Sequence, residues 1–313
     1  MQFILNDITD PQWNMAHDEF LLERLEGTVF CLWQNAPSVI IGLNQNVHAE
    51  VNLPYLEANG IRLARRVTGG GAVYHDLGNL NYSIAGPARE VELQYDTVAA
   101  ALRQLGVPAV RSGRNDILVD GRKCSGYAKR LSRDRMMIHG TLMWDVDLDT
   151  LTKALAAPGG KLAAAGIASV RSRVANLRPL LPQFDSLEAF RSALQGILAQ
   201  GDGEIKLSAA QLSEIDRMAD EKFRRWDWIF GHSPAASFSV RKKFPCGTVE
   251  AAYTLRHGIL ESLTFQGDFL GDKPAGELAG RLTGKPLEAI LQENVPAYFD
   301  GLDAQQLYQF LLQ

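Results

Sequence analysis

Three consecutive glycines stand in the stretch Arg65-Arg66-Val67-Thr68-Gly69-Gly70-Gly71-Ala72-Val73-Tyr74-His75-Asp76-Leu77-Gly78-Asn79. They remove every side chain where the backbone must approach something closely. Two arginines precede them. Leu80, Tyr82 and Ile84 follow with a period of two, which reads as a strand. The glycines therefore occupy a loop between extended segments. Inward-turned N–H groups in such a loop make a concavity suited to anions. A glycine-rich surface turn with two solvated arginines has the same local sequence. The stretch lacks the Lys-Ser/Thr ending of a P-loop and the strand–GxGxxG–helix order of a dinucleotide fold.

With 313 residues the chain holds one large domain or two ordinary ones. A formal charge of −4 argues against a nucleic-acid binder working by bulk charge, while leaving room for a local basic pocket. Cys31, Cys124 and Cys246 are far apart and match neither disulfide nor zinc spacing. A reducing cytoplasm is the setting that fits them. No apolar run approaches transmembrane length, and the residues from Met1 to Asp7 show no signal-peptide pattern.

In chain order, Gln2 to Leu5 reads as a strand. Asp10 as N-cap and Pro11 at the first helical position open a helix with an apolar face, stopped by Gly27. Strands follow at Thr28 to Trp33 and Val39 to Gly42, then a short helix at Pro54 to Asn59. A strand from Ile61 to Ala64 leads into the glycine loop. Leu93 to Leu105 reads as an amphipathic helix ended by Gly106. Ile117 to Val119 and Lys123 to Tyr127 are strands joined by the hairpin turn Asp120-Gly121. Met136 to Trp144 is another strand. The basic segment Lys129 to Arg135 before it reads either as a lid or as an exposed charged hairpin. Helices are expected at Asp147 to Ala156, around Phe190 to Leu198, and from the capping box Ser208–Gln211 to Phe223. Ala168 to Asn176 is a polar, basic connection. Gly231 to Phe238 reads as a linker. Beyond it come a hairpin turning at His257-Gly258 and short helices, enough for a small α+β domain. The expected division is 1–234 and 235–313.

Three stretches carry complementary chemistry. The glycine loop supplies backbone donors and fixed positive charge. Ser112-Gly113-Arg114-Asn115-Asp116 supplies Asp116, a candidate ligand for a hard cation such as Mg²⁺. Lys123-Cys124-Ser125-Gly126 supplies a lysine placed by a hairpin, able to neutralise a carboxylate or phosphate. Together they suit an acid and a nucleoside triphosphate, with activation at the α-phosphate driven by positioning and charge stabilisation.

These stretches, with His139-Gly140-Thr141-Leu142, Ser169 to Leu177, Leu32-Trp33-Gln34-Asn35 and Val39-Ile40-Ile41-Gly42, resemble the lipoate–protein ligases over nearly the whole chain. The resemblance includes the small C-terminal domain of the long, two-domain ligases. It implies an α+β fold: a large mixed-sheet catalytic domain of the biotin/lipoate ligase type with flanking helices, plus a small α+β C-terminal domain. It implies activation of lipoate by ATP to lipoyl-AMP with release of pyrophosphate, then transfer to a lysine of an acceptor. Acceptors in the family are the lipoyl domains of 2-oxoacid dehydrogenase E2 subunits and the glycine-cleavage H protein. No nucleic-acid or membrane partner is expected.

Carried over, Arg66, Gly71, Ala72, Val73 and Tyr74 would contact ATP or the adenylate. Lys123 matches the essential lysine, touching the activated carboxyl and the phosphate. Gly69 and Gly70 would let acyl chain and phosphate lie against backbone, and Asp116 would help hold Mg²⁺. For His75 and His139 two readings stay open, a contact to lipoate and a satisfied core ring. Val39, Ile41, Val73 and Ile138 are candidates both for an apolar slot and for plain core. Such a slot discriminates weakly between lipoate and octanoate. Cys124 raises a second reading, a cysteine-dependent octanoyl or lipoyl transferase of the same fold. Biotin–protein ligase and a non-catalytic scaffold are further alternatives.

Overall fold

The computed structural model describes residues 1–113, 115–155, 172–199 and 203–313. Arg114, the last residue of the helix expected to reach Ala156, and the Ala168 to Arg171 part of the basic connection lie outside them.

The first two-thirds of the chain runs β1 (Gln2–Leu5), α1 (Pro11–Glu23), β2 (Val29–Trp33), β3 (Ser38–Ile41), β4 (Arg62–Arg65), β5 (Val73–His75) and β6 (Asn79–Pro87). It continues with β7 (Val110–Ser112), β8 (Asp116–Val119), β9 (Arg122–Ser132), β10 (Arg135–Met143) and β11 (Glu204–Ile205). Eight of these strands form one sheet in the order β11-β1-β2-β6-β10-β9-β8-β7. It is mixed: β11, β1 and β2 pair in parallel, and every pairing from β2 to β7 is antiparallel. A second, three-stranded sheet has β3 at its centre, parallel to β4 and antiparallel to β5.

One face of the large sheet is apolar. Phe30, Leu32, Leu80, Tyr82 and Ile84 pack there against the helices Thr97–Gln104 and Leu187–Ala199. Burying each such side chain contributes about 1.5–3 kcal/mol. The other face receives α1, and Trp13, Met15, Phe20 and Leu21 pack on Cys31 and Trp33 of β2 and on Ile40 and Ala64 of the small sheet. Helix α1 is thus enclosed between two sheets, and every residue from Pro11 to Leu22 is buried rather than one apolar face. Its start is as expected, with Asp10 accepting from the Gln12 and Trp13 N–H groups and Pro11 at the first turn.

The period of two along β6 is present, but no face of it meets water. Leu80, Tyr82 and Ile84 join the apolar core, while Asn79, Asn81 and Ser83 are buried on the opposite side. That polar face carries the site described below.

Two expected elements differ, and the basic segment takes the second of its two readings. Leu93 to Leu105 is not one helix: Ala88–Glu92 and Thr97–Gln104 are separated by a turn, and Leu93 is 81% exposed. Tyr95 leaves the helical path to stack on Tyr127. The basic segment Lys129 to Arg135 is a β-hairpin: β9 continues through Ser132, turns at Arg133 and Asp134, and returns as β10. The Arg130 Nη1 donates to the Val67 carbonyl and the Arg135 guanidinium to the Leu21 and Leu22 carbonyls, so the hairpin is tied to its surroundings. Gly231 to Phe238 is not a free linker. Ser233 is fully buried and accepts from Arg65, Pro234 O accepts from the Asn46 amide, and β12 begins at Ala236.

Strands β12 (Ala236–Phe244), β13 (Gly247–Arg256) and β14 (Ile259–Gly267) form a three-stranded antiparallel meander. The last turn is His257-Gly258, both at positive φ of 52° and 74°, as a tight two-residue hairpin requires. Helices Ala275–Leu282 and Ala304–Leu311 cover one face and enclose a core of their own around Leu255, Leu278, Phe299 and Phe310. Leu53 packs against this core and Gln309 reaches Glu57, so this unit rests on the short helix Leu53–Ala58. Among the described residues no helix is long and apolar enough to cross a membrane.

Candidate active site

A cavity of about 170 Å³ lies between the two sheets. Comparable volumes hold a small ring. One wall is the glycine loop with β3 and β5, through Ile40, Gly70, Gly71, Ala72, Val73 and His75. The other is the polar side of the large sheet, through Trp33, Asn81, His139 and the Gly126 to Ala128 stretch of β9. Met15, Trp33, Ile40, His75 and Asn81 are all nearly inaccessible, whereas Gly70, Gly71 and Asn115 are exposed. The cavity thus has a buried, largely apolar interior and a polar mouth.

Lys123 stands at that mouth. Its backbone is held from both sides: it pairs with Leu118 of β8, its N–H donates to Arg173 O, and its carbonyl accepts from Ala175 N–H. The Nζ lies 2.7 Å from Asp116 Oδ1, with the two side chains 40% and 35% exposed. Asp116 therefore lies beside the lysine rather than on the cavity lining. Gly126 makes room for this arrangement, since a Cβ there would come within 2.6 Å of the Lys123 Nζ.

The adjacent arginines have separate tasks. Arg65 is fully buried, and carbonyls of Gly42, Leu43, Gln45 and Ile229, with the Ser233 hydroxyl, accept all of its hydrogen bonds. It is a structural clamp. Arg66 lines the cavity. Its guanidinium donates to the Gly69, Gly71 and Ile40 carbonyls and to Thr68 Oγ1, so it braces the loop from within. Burial lowers its pKa to about 10, which leaves it charged at neutral pH. Gly70 sits at φ 94°, and a Cβ on Gly42 would come 2.1 Å from Gly70 O. The loop is packed backbone to backbone against the end of β3.

His139 belongs to a buried relay. Its Nδ1 is 2.6 Å from Asp18 Oδ2 and its Nε2 is 2.7 Å from Thr68 Oγ1. Ser83 Oγ donates to Asp18 and accepts from the Trp33 indole. Both ring nitrogens are therefore taken, and the chain Trp33–Ser83–Asp18–His139–Thr68–Arg66 links the large sheet to the glycine loop. His75 differs. Asn35 Nδ2 meets its Nδ1 at 3.0 Å, while Nε2 is buried without a partner. Burial first, then Arg66 and His139, lowers its pKa to about 3 and keeps the ring neutral.

Of the residues singled out from sequence, Arg66, Gly70, Gly71, Ala72, Val73, His75, Lys123 and His139 line one cavity. Tyr74 points into the core behind β5, as alternation between Val73 and His75 requires, and Gly69 contributes its carbonyl to Arg66. Parity also decides between the slot and core readings, and Val73 is the one of the four candidates on the lining. Val39 and Ile41 face the core behind the small sheet and Ile138 faces the large core, so Ile40 is the β3 residue at the cavity. Met15 and Asn81 were not foreseen. A polar residue between Leu80 and Tyr82, in a strand buried on both faces, was the available signal for Asn81. Cys124 is fully buried, directs its Sγ to Ile117 O, and is held by burial at a pKa of about 11, so its thiol is protonated at neutral pH and sits in the core, which does not favour the cysteine-dependent reading.

Residues 10–199 match the lipoyl protein ligase A/B catalytic domain, and residues 233–311 match the bacterial lipoate protein ligase C-terminus. The lipoate–protein ligase LplJ of Bacillus subtilis is 40% identical over 301 residues, covering 92% of this chain and 91% of that protein. Among solved structures, the bi-partite lipoate protein ligase of Thermoplasma acidophilum, described with its E2 lipoyl domain, superposes with a TM-score of 0.66 at 28% identity, covering 73% of this chain and 95% of that one. A lipoate-protein ligase A bound with ATP gives 0.62 at 27% identity, covering 72% and 97%. With its catalytic and C-terminal regions both matched in order along the sequence, the chain belongs to the lipoate–protein ligase family.

Proposed function

We infer that the protein is an ATP-dependent lipoate–protein ligase acting in two steps at this cavity. The observation that carries the reading is the pairing of a buried apolar interior with a mouth built from Lys123, the Arg66-braced glycine loop and exposed backbone. The acyl chain of lipoate lies in the interior, among Met15, Trp33, Ile40 and Val73. Its carboxylate reaches the mouth and attacks the α-phosphorus of ATP, and pyrophosphate leaves. Lys123 offsets the charge on the carboxyl and phosphate oxygens, giving up its contact to Asp116. Gly69 and Gly70 admit the acyl chain and phosphate against the backbone, and the Gly71 to Tyr74 backbone carries the adenylate. Tyr74 itself holds the strand from behind.

In the second step the neutral ε-amine of an acceptor lysine attacks the acyl carbon. The C–N bond forms, AMP leaves, and the amine proton passes to solvent. His139 shapes the wall through its relay rather than moving a proton. Mg²⁺ takes one or two carboxylates and otherwise substrate phosphates. The single, partly exposed carboxylate of Asp116 suits that donor set, and Mg²⁺ there would neutralise phosphate charge. We further propose lipoyl domains of 2-oxoacid dehydrogenase E2 subunits and the glycine-cleavage H protein as acceptors, and the cytoplasm as the setting. We place the boundary between adenylating and accessory domains at 234/235, which the separate core around Leu255 and Phe310 supports.

Lipoate-dependent exchange of labelled pyrophosphate into ATP tests this. Exchange with lipoate is expected. No exchange refutes the ligase reading, and exchange with biotin alone redirects it.

A further inference from the structure

The buried interior of the cavity is not uniformly apolar. Two polar side chains on its lining, His75 and Asn81, are 3% and 1% exposed, and each leaves one nitrogen with no hydrogen-bond partner. Both adjoin Trp33: its ring meets the His75 ring edge-on with centroids 6.3 Å apart, and Trp33 pairs across β2 and β6 with Asn81.

The His75 tautomer is set by its neighbours. Asn6 Nδ2 donates to Asn14 Oδ1, Asn14 Nδ2 donates to Asn35 Oδ1, and Asn35 Nδ2 is left to meet His75 Nδ1. Nδ1 must then be an acceptor, so the ring proton is on Nε2, and the unpartnered atom is a donor. Asn79 Nδ2 donates to Asn81 Oδ1, which leaves Asn81 Nδ2 as a second unpartnered donor. Buried donors without acceptors are rare because each keeps its full desolvation cost. Two on one lining, one left by a chain of three asparagines and the other by Asn79, point to a ligand that brings weak acceptors into an otherwise apolar space.

We propose that His75 and Asn81 are specificity residues that read the sulfur atoms of the dithiolane ring, so that the enzyme prefers lipoate to octanoate. This rests on the ligase reading above. A disulfide sulfur is polarisable and a weak acceptor, and it fits a site of methionine, indole and aliphatic side chains. A saturated octanoyl tail at the same place covers both donors and satisfies neither. A purely apolar slot separates two such acids weakly, whereas a slot with buried donors penalises the ligand lacking acceptors.

The test compares kcat/KM for lipoate and octanoate, with ATP and a lipoyl domain, by intact mass of the product. Wild type is expected to favour lipoate, and Asn81→Leu to lower the lipoate-to-octanoate ratio at least tenfold, with octanoate use rising. A ratio unchanged in Asn81→Leu overturns the proposal. Should that variant fail to fold, wild type alone decides: 6-thiaoctanoate, a linear acid with one sulfur, is expected to outperform octanoate, and equal rates overturn the proposal. Wild type that modifies the acceptor with neither lipoate nor octanoate refutes the ligase reading instead.

Discussion

At the scale of single residues, charge and room decide the site. Lys123 is the cation at the mouth whose ammonium can leave its carboxylate partner for a substrate oxygen, whereas Arg66 is committed to the loop carbonyls. Lys123→Ala is therefore expected to cut lipoate-dependent pyrophosphate exchange by about a hundredfold or more, the size seen when a preorganised charge-stabilising group is lost. Wild-type-like exchange would remove Lys123 from the chemistry. Cys124 gives the opposite expectation. Its thiol is enclosed in the core beside β8 and is absent from the cavity lining. Cys124→Ala is expected to leave ligation within about twofold of wild type while lowering stability by roughly 1 kcal/mol for the lost packing. An acyl-thioester isolated on Cys124 would contradict this.

At the scale of elements, the glycine loop depends on what lies under it. Gly42 follows the last residue of β3 and lies against the carbonyl of Gly70, so Gly42→Ala drives a Cβ into backbone that has no flexible side chain to yield. Loss of exchange by tenfold or more is expected, with a melting temperature within a few degrees of wild type because the clash is confined to the loop. Exchange at wild-type rate would show that the loop position does not matter. The loop and the hairpin that carries Lys123 were legible as local signals, Arg-Arg before three glycines and a tight Asp-Gly turn. A surface turn shares the first of these, and it was the resemblance of the stretches taken together that singled out the cavity lining. What was not legible depends on which sheet covers which face. Alternation along β6 was visible, but that α1 would enclose its polar side was not, and so Asn81 was missed. Val39 and Ile41 were named as candidates for slot or core, but nothing local in the extended run said that Ile40 faces the cavity. Gly231 to Phe238 has linker composition, yet Ser233 is buried as an acceptor for Arg65, a partner 168 positions away in sequence.

At the scale of the whole molecule, buried neutral histidines set the acid limit. Desolvation lowers His17 and His48 to about 4 and His75 to about 3, below the ordinary value of 6.5. Between these values the unfolded chain binds protons that the folded chain does not. Stability is therefore intact above about pH 6.5 and falls as the pH drops toward 4, by about 1.4 kcal/mol per pH unit for each such group. Urea unfolding between pH 7 and 5 is expected to show this slope. His17→Phe should make it shallower by about one group's share; an unchanged slope would mean that His17 does not titrate on unfolding.

The most direct test of the central claim joins both steps. Purified protein is incubated with ATP, Mg²⁺, lipoate and an isolated lipoyl domain, and the acceptor's intact mass is read. The expected result is a mass gain of one lipoyl group on the acceptor that requires ATP and is lost in Lys123→Ala. Transfer from a lipoylated or octanoylated donor without ATP, or an acceptor left unmodified under all conditions, would contradict an adenylate-forming ligase.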